Sequence, residues 1–203
     1  MAASIEAIIF DMDGVLCATD FEKRLALLAA ELGIAVDVIE REIFNSGFED
    51  DADMGKLSAA DYVAGIGDRL GVAVSAEVWL KARIAAMTPD PGMLDLARDL
   101  AGHVATVMLT NNGHLLAEHM AEAFPDVLSL FGERALFSAR LGMGKQQPAT
   151  YPALARRFGW RVDRMLLIDD SETYVAAARE AGTVGHLFRG IDGLRAELGG
   201  LGL

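Results

Sequence analysis

An apolar run near the start of the chain ends abruptly at two aspartates and a glycine. Residues 5–10 carry one charge, Glu6, and predict a short buried strand that stops at Asp11-Met12-Asp13-Gly14. Strand side chains two positions apart point the same way, so Asp11 and Asp13 are predicted to face one volume. Open α/β sheets bind their ligands at this carboxyl end of their strands. A surface turn is equally compatible with this motif alone, so the rest of the chain must decide.

Two further apolar runs end in polar groups. Residues 104–109 lead into Thr110-Asn111-Asn112-Gly113, and residues 165–168 lead into Asp169-Asp170. A hydroxyl group and free N–H groups at a helix start favour an anion. The adjacent aspartates repeat the pattern of the first strand, because a helix cap alone requires only one acceptor.

The ionisation of each of these acidic groups depends on the charge of its neighbours. Close carboxylates repel each other by about 4 kcal/mol per pair at an effective dielectric constant of 20, so a bound divalent cation is expected. Oxygen ligands without a His or Cys cluster favour Mg²⁺. Lys145, which lies in a glycine-containing loop before a predicted helix, supplies a positive charge. Together the groups indicate phosphoryl transfer, in which positioning and charge neutralisation dominate catalysis.

The order of the predicted elements indicates two domains. Helical spacing dominates between Cys17 and Thr88, with no convincing strand, and residues 88–92 then break the pattern. Strands and helices alternate afterwards, which is typical of a parallel sheet covered on both faces. We therefore predict a doubly wound, Rossmann-like α/β core at 1–16 and 89–203, with a small all-helical cap at 17–88. The acidic stretch Glu49–Asp53 is predicted to be a solvated loop.

Composition excludes several classes of partner. The 203 residues include 18 basic and 30 acidic side chains, a net charge of −12, which argues against nucleic acid and anionic membranes. The single cysteine, Cys17, favours a reducing compartment, and neither a secretory signal nor a membrane-spanning run is predicted. A cytoplasmic protein acting on a small phosphorylated substrate is expected, as a monomer or a homodimer.

The four motifs together resemble the haloacid dehalogenase-like (HAD) hydrolase superfamily. They occur in that family's order, as Phe10-Asp11-Met12-Asp13-Gly14, Leu109-Thr110-Asn111, Lys145 and Asp169-Asp170. The resemblance covers essentially the whole chain and implies a helical cap inserted after the first motif. Gln146 and Gln147 differ from the family's small-cap branch, which usually has Pro and an acid directly after the lysine.

The resemblance implies a role for each motif residue. Asp11 would be the nucleophile that forms an aspartyl-phosphate and would also bind Mg²⁺. Asp13 would be the general acid and base, with its backbone carbonyl on the metal. Thr110, Asn111 and Lys145 would bind the phosphoryl group. Asp170 would be the main acidic metal ligand of the last motif, with Asp169 assisting.

A Mg²⁺-dependent phosphatase of small metabolites is the leading hypothesis, with most resemblance to sugar-phosphate phosphatases. Metal-independent 2-haloacid dehalogenation is an alternative, although Asp13 counts against it. A phosphosugar mutase and a non-catalytic binding protein remain open. The cap is expected to set specificity, and its candidate entrance residues are Cys17, Asp20, Phe44, Asn45 and Phe48. If the acidic stretch Glu49–Asp53 faced the cleft, it would disfavour highly charged substrates.

Overall fold

Short strands supply the framework on which the polar groups sit. The structure is a computed structural model that describes residues 4–203. Its strands, in chain order, are β1 (Ala7–Phe10), β2 (Cys17–Thr19), β3 (Met87–Pro89), β4 (Ala105–Thr110), β5 (Ala135–Phe137), β6 (Met165–Asp169) and β7 (Val184–Leu187).

Helices occupy most of the remaining chain. They are α1 (Phe21–Leu32), α2 (Val36–Ile39), α3 (Phe48–Asp53), α4 (Ala59–Leu70), α5 (Ala76–Ala85), α6 (Pro91–Ala101), α7 (His114–Glu118), α8 (Met120–Ala123), α9 (Pro125–Phe131), α10 (Ser138–Leu141), α11 (Thr150–Phe158), α12 (Glu172–Glu180) and α13 (Ile191–Leu201). A π-helical turn, Glu40–Phe44, continues α2, and 3₁₀ turns cover Gly132–Arg134 and Val162–Arg164.

The main sheet is parallel and has the strand order β5-β4-β1-β6-β7. In β1, Ile8 and Phe10 pack into one hydrophobic cluster, whereas Ala7 and Ile9 pack into another. Apolar side chains therefore cover both faces of the sheet, as a doubly wound fold requires. The predicted α/β core with a helical cap inserted after its first strand is confirmed.

The register of β1 brings the strand ends together. Phe10 pairs with Met108 on one side and with Ile168 on the other. Asp11 follows Phe10 directly, and Thr110 and Asp169 lie at the ends of β4 and β6. The polar residues predicted at three separate strand ends consequently share one edge of the sheet.

The cap comprises α1 to α5 and is connected to the core by a two-stranded ribbon. In this ribbon β2 and β3 pair antiparallel, with Ala18 opposite Thr88. The prediction that no strand lies between Cys17 and Thr88 was therefore wrong. Strands of three residues are too short to show alternation, and Pro89 in β3 was interpreted only as a chain break. The exact domain boundaries remain a prediction.

The acidic stretch is also different from the prediction, because Glu49–Asp53 belongs to α3 rather than to a loop. Glu49, Asp50 and Asp51 lie in the first turn, where the helix dipole favours negative charge. Phe48, at the start of this helix, is buried and stacks on Tyr62 of α4. Tertiary packing therefore stabilises a helix that its polar composition did not reveal.

Several helices of the cap begin or end at capping residues. Ser58 accepts a hydrogen bond from the backbone N–H of Asp61 and caps α4, and Ser75 caps α5 in the same way. Gly33 and Gly71 end α1 and α4 with positive φ, a conformation that glycine adopts readily. No helix within residues 4–203 is long and apolar enough to cross a membrane.

Candidate active site

Asp11 lies at the centre of the candidate site, directly after β1. Its backbone N–H donates to the carbonyl of Ile168 at 3.0 Å, which fixes it against β6. Its Oδ1 accepts from the N–H of Met12 at 2.7 Å and lies 2.5 Å from Nζ of Lys145. Burial and the neighbouring carboxylate of Asp169 raise the pKa of Asp11 to about 8, although Lys145 opposes this shift. An added positive charge would therefore favour the ionised, nucleophilic form.

Lys145 is a buried cation that joins two strand ends. Only 1% of its surface is exposed, and its Nζ lies 2.7 Å from Oδ2 of Asp169 as well as beside Asp11. Burial acts to lower the pKa of Lys145, but these two carboxylates outweigh it and raise the pKa. Lys145 is consequently charged at neutral pH and restrains both acids.

The loop that carries Lys145 is fixed by side chains. The backbone N–H of Lys145 donates to Oδ1 of Asn111 at 3.0 Å, and the backbone carbonyl of Lys145 accepts from the hydroxyl of Tyr151 at 2.9 Å. Asn111 also donates to Oε1 of Gln146 at 2.9 Å. Gln146, which replaces the proline usual in the small-cap branch, thus takes part in holding the loop.

Three carboxylates at this edge form a candidate metal centre. Asp11, Asp169 and Asp170 each offer an oxygen, and these atoms lie within 4.8 Å of one another. Oδ2 of buried Asp169 has Nζ of Lys145 as its partner, 2.7 Å away. Three acids against one lysine leave excess negative charge, and an all-oxygen donor set fits Mg²⁺.

Gly14 allows Asp170 to approach the first motif. Its φ is +82°, a conformation that other residues rarely adopt. A Cβ atom at this position would collide with the carboxylate of Asp170. The glycine of the first motif is therefore required both for the turn and for space beside a candidate metal ligand.

Asp13 connects the core to the cap. Its carboxylate accepts two hydrogen bonds from Arg83 of α5, at 2.6 and 2.8 Å, and one from Thr19 at 2.5 Å. Asn112 donates to it at 3.0 Å. Burial acts to raise the pKa of Asp13, but Arg83 and these hydrogen bonds outweigh it, so the pKa is lowered. Asp13 is a carboxylate in this arrangement.

An open cleft of about 310 Å³ lies over the predicted residues. Its walls include Asp11, Asp13, Thr110, Lys145 and Asp170. The hydroxyl of Thr110 accepts from Asn112 at 2.6 Å. Asn111 also lines the cleft, and Asp169 lies buried behind Lys145. The structure therefore brings together the core residues that the sequence predicted for this site, whereas the predicted cap residues do not line the cleft.

Sequence reasoning missed Arg83, Thr19 and Tyr174. Arg83 follows Trp79 by four residues on the buried face of α5, and a charged residue in such a stripe was the available signal. Tyr174 places its ring 4.7 Å from Nζ of Lys145. Thr19 gives no signal, because only the ribbon brings it to Asp13.

The predicted cap residues have a different outcome from the core residues. Phe44 stacks on Trp79, and Phe48 stacks on Tyr62. Cys17 is buried, with its thiol pKa raised to about 12, chiefly by burial. Cys17 and Phe48 are therefore buried, and Phe44 is half-buried against the hydrophobic core. Glu49 and Asp53 of the acidic stretch line a cavity between cap and core.

Comparison with known proteins identifies the family. A family model for haloacid dehalogenase-like hydrolases matches residues 5–182. The chain therefore belongs to the haloacid dehalogenase-like hydrolases. No protein of curated function matches it.

Solved structures share this fold at low sequence identity. A HAD family enzyme from Bacteroides thetaiotaomicron, in complex with magnesium and inorganic phosphate, is 23% identical over 90% of this chain and 93% of its own, with a TM-score of 0.79. A predicted HAD-like family hydrolase from Porphyromonas gingivalis is 21% identical over 97% and 98%, with a TM-score of 0.82. A 2-haloacid dehalogenase from Pseudomonas syringae is 20% identical over 89% and 85%, with a TM-score of 0.62.

Proposed function

We propose that this protein is a Mg²⁺-dependent phosphatase that hydrolyses small phosphorylated metabolites, sugar phosphates among them, through an aspartyl-phosphate on Asp11. One observation carries the proposal: the Asp11 carboxylate faces an open cleft between a buried lysine and two further aspartates. The magnesium and phosphate bound to the Bacteroides enzyme are consistent with this chemistry.

In the first step, the carboxylate of Asp11 attacks the phosphorus atom and the ester P–O bond breaks. Met12 and Lys145 hold Oδ1 of Asp11, which fixes the orientation of the carboxylate. Lys145 and Thr110 supply a positive charge and a hydroxyl group beside the phosphoryl oxygens. Asp13 gives a proton to the departing alcohol oxygen.

In the second step, water attacks the phosphorus atom of the aspartyl-phosphate, and Asp13 accepts a proton from that water. Inorganic phosphate and the free Asp11 carboxylate result. Arg83 lowers the pKa of Asp13 and thereby favours the form that acts as the base. The acid form needed in the first step requires the contact with Arg83 to weaken when substrate binds.

Asp11, Asp170 and the backbone carbonyl of Asp13 would hold Mg²⁺, with Asp169 assisting. When bound, the ion supplies positive charge to the phosphoryl oxygens. Lys145 pairs with Asp11 and Asp169, and Arg189 donates to the backbone carbonyl of Asp170, so the described cations do not pair with all three carboxylates.

The test is hydrolysis of p-nitrophenyl phosphate with Mg²⁺ or with EDTA. We expect Asp11→Asn to reduce phosphate release by at least about 10³-fold, because the nucleophile is lost. Asp126→Asn, an exposed aspartate in α9, is the matched control and should retain full activity. Hydrolysis that persists in Asp11→Asn or in EDTA would contradict the proposal. Halide release from a 2-haloacid in EDTA would instead support dehalogenation.

A further inference from the structure

An aromatic side chain, Tyr174, forms part of the wall of the candidate active-site cleft. It is the third residue of α12 and follows Asp170 by about one helical turn. Its half-buried side chain lines the cleft together with Thr110, Asn111 and Lys145, the residues expected to bind the phosphoryl group. Tyr174 therefore lies at the phosphoryl-binding part of the cleft, although no motif of the sequence indicated it.

The ring of Tyr174 covers one side of the Lys145 ammonium group. Nζ of Lys145 lies over the ring, 4.7 Å from its centre. The same nitrogen atom lies 2.5 Å from Oδ1 of Asp11 and 2.7 Å from Oδ2 of Asp169. An aromatic face attracts a cation and excludes water from it, but unlike a carboxylate it does not neutralise the charge. The ring therefore holds Lys145 in place and leaves its positive charge available to a phosphoryl oxygen.

A buried hydroxyl group fixes the backbones of Tyr174 and Lys145 relative to each other. The hydroxyl oxygen of Tyr151, whose side chain is fully buried, lies 2.9 Å from the carbonyl oxygen of Lys145 and 3.2 Å from that of Tyr174. One donor is thus shared between the loop that carries Lys145 and the first turn of α12. The contact between the ring and the ammonium group is consequently supported from within the core.

The hydroxyl group of Tyr174 is a hydrogen-bond donor at neutral pH. Burial raises the pKa of Tyr174, although the charge of Lys145 and hydrogen bonding with Asn111 oppose this shift. The phenol therefore keeps its proton. Its contact with Asn111 places the hydroxyl group beside the end of β4, where Thr110 presents a second hydroxyl group to the cleft.

The other groups expected to bind the phosphoryl oxygens are largely engaged by the protein. Lys145 faces two carboxylates, and the Asn111 side chain accepts from the backbone N–H of Lys145 and donates to Gln146. The hydroxyl of Thr110 is a single donor. A phosphoryl group in transfer spreads its charge over its oxygen atoms, so a further donor in the cleft is favourable. The Tyr174 hydroxyl lies where it can supply this donor.

We propose that Tyr174 is a further residue of the phosphoryl site, in which its hydroxyl donates to a phosphoryl oxygen and its ring restrains the ammonium group of Lys145. The inference rests on the proposed phosphatase function and adds a substrate contact to it. The hydroxyl contact is made to bound substrate and to the transition state alike, so its loss raises KM with little change in kcat. The ring acts through Lys145, so its loss lowers kcat.

Tyr174→Phe tests the hydroxyl, because it removes one oxygen atom and keeps the ring. Calorimetric titration of the Mg²⁺-loaded protein with inorganic phosphate should give a Kd about tenfold higher than for the unmodified protein. The value of kcat/KM for p-nitrophenyl phosphate should fall by the same factor. The Kd for Mg²⁺, measured without phosphate, should stay within about twofold, since Tyr174 is not among the three grouped acids. Thr173→Val, which removes an exposed hydroxyl group from the same helix, is the matched control and should leave all of these values unchanged.

Tyr174→Leu tests the ring, because it removes the aromatic face as well as the hydroxyl group. We expect kcat to fall about tenfold below that of Tyr174→Phe, since Lys145 loses the wall that excludes water and fixes its position. The phenylalanine variant should therefore retain kcat but not phosphate affinity. A purely structural role for Tyr174 would instead lower Mg²⁺ binding, phosphate binding and stability together in both variants.

Four results would overturn the inference. They are an unchanged phosphate Kd in Tyr174→Phe, a loss of Mg²⁺ affinity that parallels the loss of phosphate affinity, equal kcat in the phenylalanine and leucine variants, and absence of phosphate binding in the unmodified protein. If Tyr174→Leu does not fold, Tyr174→Met replaces it as the variant without a ring.

Phosphate binding separates this inference from the phosphatase proposal. An unmodified protein that binds inorganic phosphate but hydrolyses no ester would refute the phosphatase. The phosphate Kd of Tyr174→Phe would still decide whether the hydroxyl group contacts the phosphoryl oxygens.

Discussion

The candidate active-site cleft is connected through Asp13 to the cavity between cap and core that Glu49 and Asp53 line, here called the cap cavity. The charged groups of these two regions are arranged differently. At the sheet edge, Asp11, Asp169 and Asp170 face one lysine, so the cluster carries excess negative charge. In the cap cavity, each buried guanidinium already has a carboxylate partner. The first region therefore has an excess of acidic groups, whereas the charges of the second region are paired within the protein.

The difference follows from the backbone beneath each region. Parallel strands project their ends to one edge, and this forces like charges together regardless of their mutual repulsion. Side chains from several helices, in contrast, can pack so that groups of opposite charge are paired. We therefore expect removal of a paired cation to lower the free energy of unfolding, and replacement of the buried acid Asp53 to raise it.

The largest effect should come from Lys145→Met. It leaves Asp11 and Asp169 buried without a cation, so the free energy of unfolding should fall by about 3–5 kcal/mol in Mg²⁺-free buffer. Phosphate release should fall by about 10²–10³-fold. Thermal melts should show a larger Mg²⁺-induced rise in Tm than in the unmodified protein, and exposed Lys23→Met is the control. An unchanged response to Mg²⁺ would argue against excess negative charge at the sheet edge.

Arg83→Met should have the next largest effect, because Arg83 is the cap residue that connects the two regions through Asp13. Asp13 would lose both guanidinium hydrogen bonds, and we expect the free energy of unfolding to fall by about 3 kcal/mol. Chemical denaturation measures this loss, with exposed Arg156→Met as the control. If the pair is coupled, Arg83→Met combined with Asp13→Asn should cost less than the sum of the single variants.

Gly14→Ala tests whether the turn of the first motif serves the metal centre. Both Gly14→Ala and Gly33→Ala force alanine to a positive φ and should lower the free energy of unfolding by about 1–2 kcal/mol. Only at Gly14 would the new methyl group displace Asp170, since nothing lies within 4 Å of a Cβ at Gly33. Mg²⁺ titration should show about 10–100-fold weaker binding for Gly14→Ala alone. Equal affinity in both variants would remove Asp170 from the metal centre.

The smallest effect, and the one with the opposite sign, belongs to Asp53→Asn in the cap cavity. The usual pKa of this acid is 3.8, so the unfolded chain loses the proton near pH 4, whereas the folded protein keeps it until about pH 9. The unfolded state therefore binds fewer protons across this window, and stability falls as pH rises. Asp53→Asn should remove this slope and raise the free energy of unfolding at pH 8 by about 1 kcal/mol or more. Denaturation at pH 5 and pH 8 measures it, with Asp51→Asn as control; an unaltered slope would contradict the prediction.

Sequence alone predicted which polar residues meet at one edge of the sheet, because each of them ends or follows an apolar strand. Asp11, Thr110 and Asp169 are each preceded by an apolar run, and parallel pairing needs no further information to bring them together. The contacts around the cap cavity could not be predicted in this way. Arg83 and Glu49 meet their partners through the packing of separate helices, and their spacing in the chain does not encode that arrangement.

Two misjudged elements have the same origin. The ribbon strands β2 and β3 are stabilised by each other across the inserted cap, and α3 is stabilised by the contact of Phe48 with Tyr62. In each case the stabilising contact is distant in sequence. Local patterns in the sequence therefore gave no sign of it.

The central position of β1 also dictates when the site can form during synthesis. This strand is made first, yet its two neighbours in the sheet end at Thr110 and Asp169. Cap residues between β2 and β3 can form their local contacts first. Asp11, in contrast, cannot contact its neighbours in the sheet until those residues have left the ribosome, which happens much later. A nascent chain that stops before β6 lacks one side of its central strand and two of the three acids in its cluster, so the complete site forms only near the end of translation.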